Sequence, residues 1–344
     1  MKTRPLGRTG LHVSPYCLGT MMFGPAGTPD PADCRRIVHR ALDAGINFID
    51  TADVYGGGET ETILGAALKG RRDDVVLATK FSGPMGEGSN QRGASRRWIT
   101  TAVEDSLRRL DVDHIDLYQI HHFDPTTDLD ETLSALTDLI TAGKVRAIGS
   151  SSFLGSDIVE AQWISDRRAL ARLRTEQPSY SILARSVERD VLPVCDRYGM
   201  GVLTWSPLAW GLLTGKHRAG KNTPVSAGRA HWGPRHMSDQ NKAAAVEQLV
   251  PVAADAGISL THLAMAFVMA HPAVTSAIMG PCTLEQLDDL LAGASVSLSD
   301  ETLDRIDEIV APGTDVGVSE VNYVPQSLTN VGLRRRSPID RTAE

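Results

Sequence analysis

The chain has 344 residues, of which 42% are apolar and 22% are charged, a composition that excludes collagen-like and long disordered architectures. The formal net charge is −7, the wrong sign for a surface that follows phosphates, so neither nucleic acid nor a membrane is an expected partner. The four cysteines, Cys17, Cys34, Cys195 and Cys282, are spread without a CxxC pair, which favours a reducing compartment. The sequence shows no signal-peptide run and no apolar stretch of about 18 residues, so it predicts a cytoplasmic protein.

Short apolar runs alternate with helical patterns along the chain, roughly one run and one helix per 30 residues, which is the rhythm of βα units. Because the runs lack clean alternation of polar and apolar residues, they indicate a parallel sheet covered by helices. Eight such units predict an α/β fold, a (β/α)8 TIM barrel. The predicted strands are Pro15–Leu18, Asn47–Asp50, Val75–Lys80, Ile115–Ile120, Val145–Ser150, Leu173–Glu176, Val202–Trp205 and Val274–Met279.

Three segments depart from this rhythm. The first dozen residues carry two short runs around a glycine turn and predict a small β-hairpin before the barrel. The segment His217–Gln240 is rich in Gly, Pro, Arg and Lys, and it predicts a long insertion loop after the seventh barrel strand. From Leu333 the chain is charged, so we expect a single barrel domain over residues 1–332 and a flexible tail over 333–344.

Four polar side chains end or follow neighbouring predicted strands, where the active site of such a barrel lies. Asp50, Lys80 and His121 come at the ends of the second, third and fourth strands, and Tyr55 follows Asp50 by five residues. A phenol close to an ammonium group becomes a better proton donor, and Asp50 would hold Lys80 charged. With His121 orienting a substrate, the set predicts a general acid poised over a carbonyl oxygen. Such a site implies a nicotinamide cofactor that delivers hydride.

Three motifs resemble the aldo-keto reductase superfamily, and the resemblance runs from about Leu6 to Leu298. The first is Gly45-Ile-Asn-Phe-Ile-Asp-Thr-Ala-Asp-Val-Tyr-Gly with a following Glu61-Thr-Ile-Leu-Gly; the others are Asp116-Leu-Tyr-Gln-Ile-His and Trp205-Ser-Pro-Leu-Ala-Trp-Gly-Leu-Leu-Thr-Gly-Lys. The resemblance implies NAD(P)H-dependent reduction of aldehydes or ketones in a TIM barrel. It also implies that the catalytic residues are Tyr55 as the acid, Asp50 and Lys80 as its partners, and His121 as the orienting residue.

The resemblance further implies a cofactor site at the same end of the barrel. In it Ser151, Ser152 and Gln177 would bind the carboxamide, and Trp205 would stack on the nicotinamide ring. The implied cofactor-binding residues are Gly19, Thr20, Met21, Asp50, Ser151, Ser152, Gln177, Trp205, Ser206, Pro207, Leu208, Gly211, Lys216, Gly280, Cys282, Thr283 and Gln286. The residues Phe23, Phe81, His122 and Phe123 follow strand ends and are predicted to line the substrate pocket, although simple loop packing would suit the phenylalanines equally well.

Two positions depart from the family pattern. Relatives usually show Ser-Asn where this chain has Ser151-Ser152, so the second amide contact would be shorter or mediated by water. Many relatives place an arginine that grips the adenosine 2′-phosphate where this chain has Cys282, and a neutral thiol cannot form a charge-assisted fork with phosphate. The resemblance implies NADPH as the cofactor, and the absence of the arginine leaves NADH as the alternative.

Other functions fit less well. Some members of the superfamily are nicotinamide-binding regulatory subunits of potassium channels, and this is the alternative hypothesis. A barrel hydrolase would need paired carboxylates or a nucleophile with its base, and the sequence shows neither in context. Adjacent side chains at a strand end are expected on opposite sides, so His121 and His122 predict no metal site. The identity of the small-molecule carbonyl substrate and the oligomeric state stay open.

Overall fold

The computed structural model describes residues 1–25, 27–218, 233–320, 328 and 330–335. Its first two strands, β1 (Arg4–Pro5) and β2 (His12–Val13), pair as an antiparallel hairpin. The next eight strands close into a parallel barrel in which β10 pairs with β3. They are β3 (Tyr16–Gly19), β4 (Phe48–Asp50), β5 (Val76–Phe81), β6 (Ile115–Ile120), β7 (Val145–Ser151), β8 (Leu173–Gln177), β9 (Gly201–Thr204) and β10 (Ser276–Met279). The predicted barrel and hairpin are both confirmed.

Helices between the strands cover the outside of the barrel, and side chains at their first turns fix where several of them begin. Asp30 accepts a hydrogen bond from the backbone N–H of Ala32 at 2.8 Å, and Ser95 accepts one from Trp98 at 3.3 Å. The helices are α1 (Pro31–Asp43), α2 (Glu59–Ala67), α3 (Arg96–Leu110), α4 (Leu129–Thr141), α5 (Gly155–Arg168), α6 (Val191–Tyr198), α7 (Pro234–Met237), α8 (Gln240–Asp255), α9 (Leu260–Ala270), α10 (Leu284–Ala292), α11 (Asp300–Ile309) and α12 (Val331–Arg334).

Alternation of side chains along the strands separates two hydrophobic cores. In β5, Leu77 and Phe81 belong to the large core between strands and helices, whereas Ala78 belongs to the core inside the barrel. Successive strand residues point to opposite faces, so Lys80, two residues after Ala78, also points inward. The inner core fills the barrel with side chains from seven of its strands, namely Cys17, Phe48, Ala78, Leu117, Ala147, Leu203 and Ile278.

The N-terminal hairpin closes the bottom of the barrel. Leu6 and Val13 pack with the inner core, and both are fully buried. The backbone N–H of Arg8 donates to the carbonyl oxygen of Gly199 at 3.1 Å, just before β9 begins. A Cβ atom at Gly7 would lie 2.4 Å from the backbone nitrogen of Gly201, so only glycine permits this approach. The hairpin therefore leaves the carboxyl ends of the strands as the accessible end of the barrel.

The segment predicted as an insertion loop is partly helical. The helix α7 lies within it, and α8 begins at its last residue, Gln240; residues 219–232 lie outside the described residues. The prediction missed α7 because four residues are too few to show a helical period. In the predicted tail, α12 extends to Arg334, and residues 336–344 lie outside the described part of the chain.

Within the described ranges, no single helix is long and apolar enough to cross a membrane. One bent pair, Gln240–Asp255 with Leu260–Ala270, reaches that length and composition only when its two helices are taken together.

Candidate active site

A layer of polar side chains lies at the top of the barrel interior, above the inner core. Asp50 ends β4 and is almost fully buried. Its Oδ2 accepts from Lys80 Nζ at 2.6 Å, and its Oδ1 accepts from the side-chain amides of Gln119 at 3.1 Å and Gln177 at 2.9 Å. Both carboxylate oxygens thus have charged or amide donors, as a buried carboxylate requires. Asp50, Lys80, Gln119 and Gln177 come from β4, β5, β6 and β8, and their side chains meet inside the barrel.

Lys80 connects this layer to Tyr55. Its ammonium group, fully buried, donates to the Tyr55 hydroxyl at 3.2 Å and to the carbonyl oxygen of Thr51 at 2.8 Å, besides Asp50. Burial opposes the charge on Lys80, but Asp50 and Tyr55 outweigh it, and the pKa of Lys80 is raised above its ordinary value. The phenol of Tyr55 therefore faces a permanent positive charge at neutral pH.

A glycine turn positions Tyr55 over Lys80. The 3-10 turn Tyr55–Gly58 runs through Gly56, Gly57 and Gly58, which have φ of 57°, 63° and 99°. A Cβ atom at Gly58 would lie 2.8 Å from Cδ of Arg109, so the arginine packs directly beneath the turn. Glu61 of α2 is fully buried and forms an ion pair with that arginine, in which Glu61 Oε2 lies 2.7 Å from Arg109 Nη2. The last glycine of the turn is thus packed against an ion pair whose carboxylate is fully buried.

The paired histidines lie together at the rim. The His121 ring stacks on the His122 ring with centroids 4.4 Å apart, and it meets the Tyr55 ring edge-on at 5.9 Å. The sequence prediction placed the two histidines on opposite sides; this is wrong, because β6 ends at Ile120 and strand alternation ends with it. Burial and the charge of Lys80 hold the pKa of His121 well below its ordinary value, so the imidazole is neutral at pH 7. Its Nδ1 is buried without a hydrogen-bond partner in the described structure.

These side chains border a cavity of about 160 Å³ at the top of the barrel. Tyr55, His121 and His122 lie on its wall with Asp50, and many of the predicted cofactor residues also line it. The predicted cofactor residues on this wall are Gly19, Thr20, Met21, Asp50, Ser151, Gln177, Trp205 and Ser206. The structure therefore brings three members of the predicted tetrad onto one cavity, with Lys80 buried behind Tyr55.

A groove of about 200 Å³ continues from this cavity, sharing Ser206, Trp210 and Ile278 with it. It follows the loop after β9 towards the start of α10. The predicted cofactor residues along it are Ser206, Pro207, Leu208, Gly211, Lys216, Gly280, Cys282 and Gln286. Cavity and groove together form an extended site that runs from Tyr55 to Cys282.

Five predicted residues lie elsewhere. Ser152 lines a separate cavity of about 470 Å³ that reaches Trp205 from another direction. Thr283 caps α10, where its hydroxyl accepts from Gln286 N at 3.3 Å. Phe23 and Phe81 are buried in the core between strands and helices; Phe81 points outward because its neighbour Lys80 points inward, and it stacks on Tyr118.

The ring of Phe123 packs edge-on against Phe153, with centroids 5.3 Å apart, and is not part of the cavity wall as described. Of the predicted substrate-pocket residues, only His122 borders the cavity. The phenylalanines at these strand ends therefore pack against the surrounding structure, the reading that the sequence had left equally open.

Three residues of the site were not assigned to it from the sequence. Gln119 belongs to the Asp50 network, and its position two residues after Leu117, on the inward face of the strand, was the available signal. Ile278 and Trp210 lie where cavity and groove meet. Trp210 adopts φ of 59° and stacks on His236 of α7 with centroids 5.4 Å apart. Nothing in the local sequence indicates that stacking, because it joins two segments across the inserted region.

The extended site fits an elongated anionic dinucleotide. The indole Nε1 of Trp210 is buried at the junction without a partner in the described structure, a donor that a phosphate oxygen would satisfy. Lys216 borders the groove and forms no salt bridge among the described residues. At Gly19 a Cβ atom would lie 2.6 Å from Cγ2 of Ile278, so glycine keeps the backbone close to β10. A nicotinamide cofactor, which the sequence implied, would need donors of this kind along its pyrophosphate.

Fold and site together define a (β/α)8 barrel with a polar tetrad at the carboxyl ends of its strands. The sequence profile of the Aldo/keto reductase family matches residues 15–311. The chain is 42% identical over 315 residues to the "Uncharacterized oxidoreductase YrpG" of Bacillus subtilis, covering 88% of this chain and 94% of the relative. It is 35% identical over 322 residues to a "Probable voltage-gated potassium channel subunit beta" of Oryza sativa, covering 90% of this chain and 97% of that relative. It is 36% identical over 300 residues to the "Aldo-keto reductase YhdN" of Bacillus subtilis, covering 84% of this chain and 88% of that relative.

The chain belongs to the aldo/keto reductase family. Its family and its relatives identify it as an oxidoreductase.

Proposed function

We propose that the protein reduces an aldehyde or ketone with hydride from NADPH or NADH, and that Tyr55 is its general acid. The observation that carries this proposal is the contact of 3.2 Å between the buried ammonium of Lys80 and the Tyr55 hydroxyl on the cavity wall. A positive charge at this distance stabilises the negative charge that develops on the Tyr55 oxygen as its proton moves to the substrate. The small-molecule carbonyl group is proposed to bind within reach of that hydroxyl.

Each residue of the tetrad has a proposed role in the reaction. A bound nicotinamide cofactor supplies the hydride to the carbonyl carbon. As negative charge develops on the carbonyl oxygen, the Tyr55 hydroxyl donates its proton there, and Lys80 stabilises the phenolate that remains. Asp50, held by two glutamine amides, keeps Lys80 charged and in place. His121, neutral at pH 7, orients the carbonyl oxygen through a ring N–H.

The proposed cofactor is NADPH, with NADH as the other candidate. Ser151, Gln177 and Trp205 would hold the nicotinamide end beside Tyr55, because all three lie on the wall of the same cavity. The pyrophosphate would follow the groove past Ser206 to Lys216. Gln177 already donates its amide to Asp50 and Gln119, so its carbonyl oxygen is the group left to accept from a carboxamide.

The adenosine end of the proposed cofactor site is built differently from an arginine-bearing one. The backbone N–H of Cys282 donates to Gln286 Oε1 at 2.8 Å, and the carbonyl oxygen of Cys282 accepts from the Thr28 hydroxyl at 2.8 Å. The loop is thereby fixed, with a neutral thiol where a 2′-phosphate would be gripped. We propose that selectivity for NADPH over NADH is weak for this reason.

The test is the loss of nicotinamide absorbance on addition of a reactive quinone or a nitro-substituted aromatic aldehyde, with NADPH and NADH run side by side. Tyr55→Phe is expected to lose most turnover while still binding the cofactor, measured as quenching of tryptophan fluorescence. Tyr118→Phe is the matched control, because that hydroxyl is buried without a partner in the described structure and lies in the core. Equal turnover in both variants would overturn the assignment of the acid.

A second candidate function is that of a nicotinamide-binding channel subunit. The rice relative at 35% identity and an Arabidopsis thaliana relative at 34% both carry the name of a probable voltage-gated potassium channel subunit beta. The complete network from Asp50 to Tyr55 favours the enzyme, since a purely regulatory subunit has no need of a proton donor on the cavity wall. Co-purification with a potassium channel, together with absent turnover on all carbonyl compounds, would favour the subunit instead.

A further inference from the structure

An apolar patch lies on the outer face of α5, apart from the cavity of the proposed active site. Trp163 is 57% exposed and Val159 is 41% exposed, four residues apart on the same side of the helix. The other exposed large hydrophobic side chains in the described ranges, Met1, Leu328 and Val331, lie towards the ends of the chain. Among the described residues, Val159 and Trp163 are therefore the large hydrophobic side chains that are exposed on the barrel away from the chain ends.

The patch continues into a shallow groove between α5 and α6. Val194 and Tyr198 of α6 line it together with Val159 and Trp163, and its volume is about 670 Å³. The guanidinium of Arg167 lies over the Trp163 ring at 5.2 Å from its centroid, and Glu160 lies on the groove wall. An aromatic and aliphatic centre with charged residues at its rim is the anatomy of a protein interface. This groove shares no lining residue with the catalytic cavity.

Two charges at the rim have no ionic partner among the described residues. Arg168 pairs with Asp130, and Arg172 pairs with Asp166, both close by. Among the residues that the structure describes, neither Glu160 nor Arg167 forms a salt bridge. They lie seven residues apart, which is two turns of helix, so both face the same side as Trp163.

We propose that this patch binds a second copy of the same chain through a twofold, antiparallel contact of α5 with α5. The midpoint between positions 160 and 167 falls beside Trp163, so a twofold axis there brings the two Trp163 rings together. The same axis sets Glu160 of each copy opposite Arg167 of the other. Opposite charges at equal distances on either side of an apolar centre are self-complementary, and this symmetry selects a second copy over an unrelated partner.

The assembly is tested by sedimentation equilibrium of the full chain at several loading concentrations. The unchanged protein is expected to form a dimer, and Trp163→Glu is expected to weaken dimer affinity by about thirtyfold or more, the loss typical of a central aromatic anchor. Glu308→Arg, an exposed change on α11, is the control and is expected to leave the dimer intact. Turnover per chain shows that each variant is folded, because the patch is separate from the cavity.

Charge reversal gives a second test that does not depend on the tryptophan. Glu160→Arg and Arg167→Glu are each expected to weaken the dimer, since each places like charges opposite one another. The double variant exchanges the two charges and is expected to recover the affinity, because the symmetric pairing is restored in reverse. A monomer at all concentrations, a dimer that tolerates Trp163→Glu, or a double variant no better than the single ones would each overturn the proposal.

Discussion

Replacing Lys80 by methionine tests whether the ammonium group contributes separately to the free energy of unfolding and to turnover. The change removes the ammonium that lies 2.6 Å from Asp50 and 3.2 Å from the Tyr55 hydroxyl. Asp50 then keeps its two amide donors but remains a buried carboxylate without its cation. Breaking one partner of a buried ion pair costs about 3–5 kcal/mol, and the two remaining amide bonds place this case towards the lower end.

A second substitution, Asp50→Asn, is expected to offset the loss of stability. In the double variant Lys80→Met with Asp50→Asn, no unpaired charge remains, so most of the lost unfolding free energy is expected to return. Turnover is not expected to return, because the positive charge beside Tyr55 is still missing. Urea denaturation gives the unfolding free energies, and the absorbance assay with a reactive carbonyl compound gives the turnover.

Two results would refute this reasoning. If Lys80→Met unfolds at the same urea concentration as the unchanged protein, Asp50 does not depend on Lys80 for its charge. If the double variant recovers turnover as well as stability, the ammonium is not what makes Tyr55 an acid. Loss of stability in the single variant, rescue in the double variant and inactivity in both would support the roles proposed for all three residues.

Three further changes are expected to have distinct results. Gly58→Ala should destabilise the fold by more than Gly57→Ala, because a Cβ at Gly58 meets Arg109 whereas one at Gly57 meets nothing within 4 Å. Gly57→Ala has only the cost of a positive φ, about 1 kcal/mol, and equal shifts in melting temperature for the two variants would contradict this expectation. Burial and the neighbouring Glu61 raise the pKa of Asp53 to about 7. The stability that this carboxyl contributes is therefore fully present below about pH 4, where an unfolded aspartate is also protonated, and is lost as pH rises to about 7. Asp53→Asn should remove this loss in urea titrations at several pH values, and an unchanged pH profile would contradict it. Cys282→Arg should strengthen NADPH binding about tenfold with little change for NADH in calorimetry, and equal gains for both would place the 2′-phosphate elsewhere.

The sequence was informative wherever strand position alone decides the outcome. Asp50, Lys80 and His121 follow or end runs whose apolar character was visible, and the closed barrel brings such positions to one end. The same local pattern misled at Phe81, because a strand end carries an inward and an outward residue in turn, and nearness to the end does not distinguish them.

What could not be predicted depends on contacts between distant segments. The stacking of Trp210 on His236 joins the loop after β9 to α7, and no local period records it. The packing of Arg109 from α3 beneath the turn at Tyr55 is another such contact, because the adjacent glycines of the turn have no side chain that would indicate a partner. Such cases arise when side chains far apart in the chain determine a local conformation, which a single sequence does not reveal.

The plugged base of the barrel also constrains molecular traffic. With Leu6 and Val13 of the hairpin packed against a filled interior, the described structure offers no route through the barrel axis. Anything that reaches Tyr55 must enter and leave by the same mouth. If the proposed cofactor lies below the carbonyl compound in the cavity, the cofactor must bind first and leave last. A barrel closed at its base thereby turns a spatial arrangement into a sequence of events.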